Sequence, residues 1–266
     1  MRLLIDAGNT RTKWAWAMEA GGPDVDSVSA FDNASWLNHV EAAEQTAFAS
    51  AVAQATEIWI SNVAGALWLQ VFESLETVAR MHWVSASAEA LGVHNRYHDP
   101  SQLGSDRWCC LLAAWAHYQQ PALVVNAGTA VTIDALQIME APTLKKHAVF
   151  DGGSIQPGLQ LMWQSMQQRT AQLNAAFPDD FLAVDARPRN TQQAMLLGCL
   201  HAIAGAVLLQ YQALTSTCAN PPLLLLSGGD APRLQPHLSQ ILSVQAIIVD
   251  NLVLRGLASV AENMTQ

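Results

Sequence analysis

The sequence predicts an α/β protein of two similar halves whose turns face a common cleft, and three observations predict it. The chain opens on a short apolar run ended by an acid, Leu3-Leu4-Ile5-Asp6, then the turn Ala7-Gly8-Asn9-Thr10 and the alternating run Arg11 to Trp16. That pattern reads as a hairpin with polar groups at its tip. The same kind of unit returns 120 residues later as Leu123-Val124-Val125-Asn126-Ala127-Gly128-Thr129, followed by Ala130-Val131-Thr132-Ile133-Asp134. Around both copies, strand-like and helix-like runs alternate.

Composition bounds what such a protein can do. With 266 residues, 51% hydrophobic and 13% charged, the chain suits one large or two modest domains with a real core. Its net charge of −9 argues against nucleic acid or an anionic membrane as partner, because affinity there comes from basic side chains. The four cysteines, Cys109, Cys110, Cys199 and Cys218, form no C-x-x-C pair and read as reduced core residues. The eight histidines show no H-E-x-x-H or similar cluster and read as structural or surface groups. The chain starts directly in a strand without a signal-peptide pattern, and Ala194 to Leu209, interrupted by His201, is shorter than the ~20 residues of a bilayer span. A cytoplasmic protein is expected.

Taken in order, the first hairpin carries the chemistry. Gly8 permits close backbone approach, Asn9 a tight turn, Thr10 and Lys13 donation to phosphate, and Asp6 an approach to a hydrated cation. The same five-residue turn also suits an ordinary surface hairpin. Val25 to Phe31 reads as a third strand, and Asn33 or Ser35 caps a helix through Trp36, Leu37, Val40 and Ala43. Ile58 to Val63 is a strand, Leu67, Val71 and Leu75 mark a helix, and His82-Trp83-Val84 is another strand. Periodicity stops from Gly92 to Ser105, where His94 to Pro100 form a polar loop of the kind that holds substrates.

Gly104-Ser105-Asp106-Arg107 then opens a helix through Trp108, Leu111, Leu112 and Trp115. Asp106 there reads either as a first-turn acid favoured by the dipole and paired with Arg107, or as a functional carboxylate. After the second copy, a polar linker with Lys145 and Lys146 leads to Asp151-Gly152-Gly153-Ser154-Ile155-Gln156-Pro157-Gly158, a strand-to-helix turn without Walker or dinucleotide-binding spacing. A helix through Leu161, Met162, Met166 and Leu173 follows, then an irregular stretch from Phe177 to Asn190 and a long apolar helix from Thr191 to about Leu214. Leu223 to Leu226 is a buried strand ending in Ser227-Gly228-Gly229-Asp230, Val244 to Val249 the last strand, and Asn251 to Ala261 a closing helix. Glycines at a strand's carboxyl end are where ligands sit in α/β folds.

The two turns resemble the paired phosphate-binding motifs of the actin and sugar kinase superfamily, which is built from two ribonuclease-H-like domains, here expected over 1–119 and 120–266. Together, Asp6 to Lys13, Gly104-Ser105-Asp106-Arg107, Asn126 to Ala130, Gly152-Gly153 to Pro157-Gly158, and Asn190-Thr191 with Ala194-Met195 resemble the type III pantothenate kinases in order and spacing. The resemblance implies a homodimeric enzyme that phosphorylates pantothenate with ATP, the first step of coenzyme A synthesis. Carried over by residue, it implies that Asp6, Ala7, Gly8, Asn9, Thr10, Arg11, Thr12 and Lys13 bind the ATP phosphates and that Thr129 contacts them from the second domain. Asp6 would hold Mg²⁺, directly or through water, while Tyr97, Gly104, Ser105, Asp106, Arg107 and, across the dimer, Thr191 hold pantothenate. Asp106 would be the general base. Many relatives carry aspartate at position 126, as ligand to an activating K⁺ or ammonium; Asn126 keeps the oxygen without the charge, so a weak monovalent-cation requirement is expected. Two rival readings are a transcriptional accessory factor on the same fold, against which the charge and the intact motif residues count, and a phosphatase, whose basic groove 13 Lys plus Arg do not supply.

Overall fold

The computed structural model describes residues 1–18, 22–37, 43–139, 147–169, 173, 176–178 and 186–264. The first elements are β1 (Arg2–Ala7), β2 (Arg11–Trp16), β3 (Ser29–Asp32), α1 (Asn33–Leu37), α2 (Ala43–Gln54), β4 (Glu57–Asn62), α3 (Ala66–Glu73) and β5 (Arg80–Trp83). Next come β6 (Glu89–Ala90), β7 (Val93–Asn95), α4 (Ser105–Tyr118), β8 (Ala122–Ala127), β9 (Ala130–Met139), β10 (His147–Pro157) and α5 (Leu159–Arg169). The chain closes with α6 (Thr191–Thr215), β11 (Leu223–Ser227), α7 (Ala231–Leu242), β12 (Ala246–Ile248) and α8 (Leu252–Asn263). These form two compact units, Met1–Gln119 with Met139–Val149 and Asn251–Gln266, and Gln120–Ile138 with Phe150–Asp250.

In the first unit the strand order is β3-β2-β1-β4-β5, with β1 antiparallel to β2 and parallel to β4. Leu3, Leu4 and Ile5 are completely buried, as a central strand covered on both faces requires. Leu3 and Ile5 pack with Phe48 and Val52 of α2 and Trp68 and Phe72 of α3, a cluster in which Phe31, Phe48 and Trp68 make tilted or edge-on ring contacts. Helix α8 packs along α4 and against β1. A cut at 119/120 would leave α8 with the second half of the sequence, whereas in the structure it completes the first unit.

The second unit repeats the order as β10-β9-β8-β11-β12, with β8 antiparallel to β9 and parallel to β11. This is the ribonuclease-H-like arrangement a second time, and β8 stands where β1 stands. Register extends the likeness to single residues: Asp6 lies opposite Lys13 and Ser61, and Asn126 opposite Thr132 and Ser227. Helix α6 is 25 residues long, longer than the apolar stretch read from the sequence, and by length and composition alone it could cross a bilayer. Its buried residues, including Met195, Leu200, Ile203 and Val207, join the core with Leu123, Val125 and Leu224, which is the packing of a core helix.

Some elements differ from expectation. Val25–Ser27 is a 3-10 turn because the Asp24 carboxylate accepts from Asp26 N, so the third strand starts only at Ser29. The loop after Gly92 begins with a hairpin, β6 and β7, turned by Leu91 and Gly92, both at positive φ. The glycine-rich run Asp151 to Pro157 continues β10, and only Gly158 stands at the turn. Helix α7 fills the stretch between Asp230 and Val244 to which the sequence gives no element, and α5 ends before Leu173. Val40, Lys145 and Lys146 lie outside the described residues.

Gly256 fixes how closely α8 meets α4, because a Cβ there would stand 2.1 Å from the Cys109 carbonyl oxygen. Gly256→Ala must push two helices apart, so we expect it to cost about 1–3 kcal/mol, the usual price of overpacking. Urea denaturation checks this; a midpoint equal to the parent's would contradict it.

Candidate active site

The tip between β1 and β2 is held from below. Gly8 N donates to Arg11 O at 3.1 Å, and Asn33 Nδ2 donates to Gly8 O at 2.7 Å and to Asn9 O at 3.3 Å. Asn33 Oδ1 in turn accepts from Thr12 Oγ1 at 2.9 Å, and Thr12 Oγ1 accepts from Trp68 Nε1 at 2.8 Å. Thr12 is completely buried, so its side chain braces the hairpin and does not line the tip. Ala7 is likewise buried, its carbonyl accepting from Val63 N. Asn9, Thr10 and Arg11 are exposed at the tip, with Arg11 Nε 3.6 Å from Asp32 Oδ1. Asp6 and Lys13 lie opposite one another just below.

The start of α4 belongs to the same unit. Ser105 Oγ and Ser61 Oγ are 2.8 Å apart, and Ser61 is the β4 residue beside Asp6, so one buried hydroxyl pair ties the helix start to the end of β1. Gly104 occupies the N-cap, where a Cβ would stand 2.5 Å from Asp106 Oδ1, so a side chain there would displace that carboxylate from its present position. Asp106 Oδ1 also accepts from Arg107 N at 2.8 Å. The buried Arg107 guanidinium donates through Nη1 to Tyr97 Oη at 3.0 Å, and Tyr97 N is held by Asn95 Oδ1.

Electrostatics marks the two acids. Burial, then the nearby Asp106 carboxylate, push the Asp6 carboxyl up to about 7 against the opposing pull of Lys13. Burial likewise raises Asp106, offset in part by its bond from Arg107 N and by the Arg107 charge. The Cys109 thiol is pushed well up by burial and by both acids, which places it next to them and keeps it inert. Two oxygen donors crowded in a low-dielectric site, with one lysine nearby, fit a hard divalent cation such as Mg²⁺, which would relieve their repulsion.

In the second unit the turn after β8 is one residue shorter and is clasped in a similar way, Gly128 N donating to Ala130 O at 3.0 Å, with Thr129 exposed at its tip. Gly158 N donates to Thr129 O at 2.9 Å, and Asp230 N to Ala127 O at 3.0 Å. Asn126 is part-buried at the end of β8, and Thr191 is exposed as the first residue of α6, whose N-cap Asn190 accepts from Gln193 N. The structure thus gathers Asp6, Lys13, Asp106, Arg107 and Tyr97 in one unit and places Asn126, Thr129 and Thr191 in the other.

The type III pantothenate kinase family model matches residues 2–213. The chain belongs to the type III pantothenate kinase family. A type III pantothenate kinase of Aromatoleum aromaticum is 40% identical over 98% of both chains, and one of Methylobacillus flagellatus is 37% identical over 96% of this chain and 95% of its own. Among solved structures, a Sinorhizobium meliloti protein assigned as a 2-dehydro-3-deoxygalactonokinase superposes with a TM-score of 0.61 at 17% identity, covering 99% of each chain. A Campylobacter jejuni protein assigned to the Baf family of transcriptional activators gives 0.60 at 19%, covering 99% of this chain and 100% of its own. At those identities the likeness shows the fold alone, that of the actin and sugar kinase superfamily.

Sequence reasoning missed Asn33 and Trp68 as braces of the tip and Ser61 as the tie to α4. The signal for Asn33 was present but ambiguous, since a polar residue before a helix reads first as a cap. Asp6 carries a testable cost. Between about pH 4 and 7 the unfolded chain ionises this carboxyl while the native protein keeps it protonated, so the native state loses stability as pH rises through that window. Asp6→Asn removes the loss. In Mg²⁺-free buffer the variant should melt above the parent at pH 8 by clearly more than at pH 4.5, and an equal difference at both would show that Asp6 pays no such penalty.

Proposed function

We propose that this protein transfers the γ-phosphoryl group of ATP to the primary hydroxyl of pantothenate, the first step of coenzyme A synthesis. The observation that carries the reading is the Asp106 carboxylate, seated over Gly104 at the start of α4 and close enough to Asp6 to raise it. Asp106 accepts the hydroxyl proton as the alcohol oxygen bonds to the γ-phosphorus and ADP leaves; a carboxyl raised by burial is the stronger base for it. Lys13 and the Gly8 to Arg11 backbone bind the phosphates, with Thr129 as the contact from the second hairpin, and Asp6 holds Mg²⁺, which neutralises phosphate charge when bound. Arg107, oriented by Tyr97 Oη, donates to the substrate carboxylate or to charge developing on the phosphoryl group.

The protein acts as a cytoplasmic homodimer in which α6 provides the contact and Thr191 reaches the partner's pantothenate. Supporting this, a Cβ at Gly198 or Gly205 would meet nothing within 4 Å, and Leu209 is 68% exposed, so that face of α6 is open to a close neighbour. Light scattering reads the mass, and a fully active monomer would end the proposal.

Incubation with ATP, Mg²⁺ and pantothenate should yield 4′-phosphopantothenate by mass spectrometry, and Asp106→Asn should lower turnover roughly 10²- to 10⁴-fold with the fold intact. No product above a no-enzyme control overturns the activity; near-normal turnover in the variant overturns the role of Asp106. Because Asn126 carries no charge, replacing K⁺ or ammonium by Na⁺ at constant ionic strength should change the rate little, and a strong saturable K⁺ activation would contradict that.

A further inference from the structure

Far from the hairpin tip in sequence, strands β6, β7 and the start of β10 each contribute one metal-ligating side chain to a single cluster: Glu89, His94 and His147, whose donor atoms all lie within 4.8 Å of one another. The backbone dictates the arrangement. Glu89 and His94 are directly opposite in the antiparallel β6–β7 pair, so their side chains share a face. Ala148 N donates to Gly92 O at 2.8 Å, which lays the first residues of β10 beside that hairpin. His94 Nδ1 stands 3.5 Å from Glu89 Oε2, and the His94 and His147 ring centres are 5.6 Å apart.

We propose that these residues form a binding site for a first-row transition ion, Zn²⁺ in the first place, with water completing the tetrahedron. Ligands about 2.0–2.2 Å from a tetrahedral zinc lie about 3.4 Å from one another, which the Glu89–His94 pair already meets, and His147 closes on the ion by a small side-chain movement. An independent observation points the same way: His147 Nδ1 is shut off from solvent and has no hydrogen-bond partner, an expense that an imidazole committed to a metal site explains. Two imidazoles and a carboxylate select Zn²⁺ over the Mg²⁺ of phosphoryl transfer, which takes oxygen ligands and keeps its waters. The competing account is a cross-strand Glu89–His94 ion pair, which needs no third residue and leaves His147 unexplained.

The test uses tag-free full-length protein with excess Mg²⁺ present, titrated with Zn²⁺ against a chromophoric chelator. One Zn²⁺ per chain is expected, with a rise in melting temperature on binding. Glu89→Gln, His94→Ala and His147→Ala should each weaken uptake by about tenfold or more, since losing even an outer-shell partner costs about 10–100-fold. Glu89→Gln alters an exposed residue and so reads the site even where His147→Ala fails to fold. Absence of stoichiometric uptake, or uptake unchanged in the variants that fold, overturns the proposal and leaves the ion pair as the account of this cluster.

Discussion

Two carboxylates that repel one another are brought together at the end of a buried strand, and much of the first unit is needed to keep them there. The raised Asp6 carboxyl measures the cost, since neither burial nor a second acid favours ionisation. What opposes it is apolar: Leu3, Leu4 and Ile5 lead into Asp6 without exposing any surface, and the aromatic layer of Phe31, Phe48, Trp68 and Phe72 locks one side of the sheet. Polar ties then set the position. The Ser61–Ser105 contact carries the register of β4 to the start of α4, and Gly104 yields the volume that the Asp106 carboxylate takes.

The hairpin tip shows the same division of labour. Asn9, Thr10 and Arg11 stand exposed at the tip, while the buried Thr12 and Asn33 satisfy the backbone beneath them. A single asparagine from the start of α1 satisfies two carbonyls of the turn and accepts from Thr12, and Trp68 closes the network from α3. Removing any member leaves buried polar groups unpaired, so this network is rigid by necessity.

The long periodic elements and the repeat were legible in the sequence because their signal is local: an apolar run, an acid and a glycine turn occur in both halves, and both became the central strand of a sheet with the same order. The misses have physical causes. The β6–β7 hairpin turns through Leu91 at φ 49°, a conformation that leucine seldom adopts, so Gly92 alone marked the turn and its first residue gave no signal. Helix α7 carries Pro232 in its first turn and Pro236 inside, which reads as a broken loop, yet Leu234 and Leu238 on one face are buried and tertiary packing overrides propensity. Asn33 was visible as a cap but its partners lie 24 and 25 residues back in the chain, beyond any local pattern.

The second half shows why glycine motifs alone are poor guides to ligand contact. Gly228, in the Ser227 to Asp230 turn, has φ 93° and lies so close to β8 that a Cβ would stand 2.2 Å from the Ala127 carbonyl oxygen; Gly158 is pressed on the next turn, 2.1 Å from Gly128 O by the same measure. Both glycines therefore answer to backbone packing, and that packing is what holds the Asn126 to Ala130 turn in shape. The two units share register but not polarity. Where the first places a carboxylate opposite lysine and serine, the second places a carboxamide opposite threonine and serine. A duplicated scaffold thus ends one central strand in an acid opposite lysine and the other in an amide opposite threonine, and of these two strand ends only the first has to hold a carboxyl whose ionisation burial opposes.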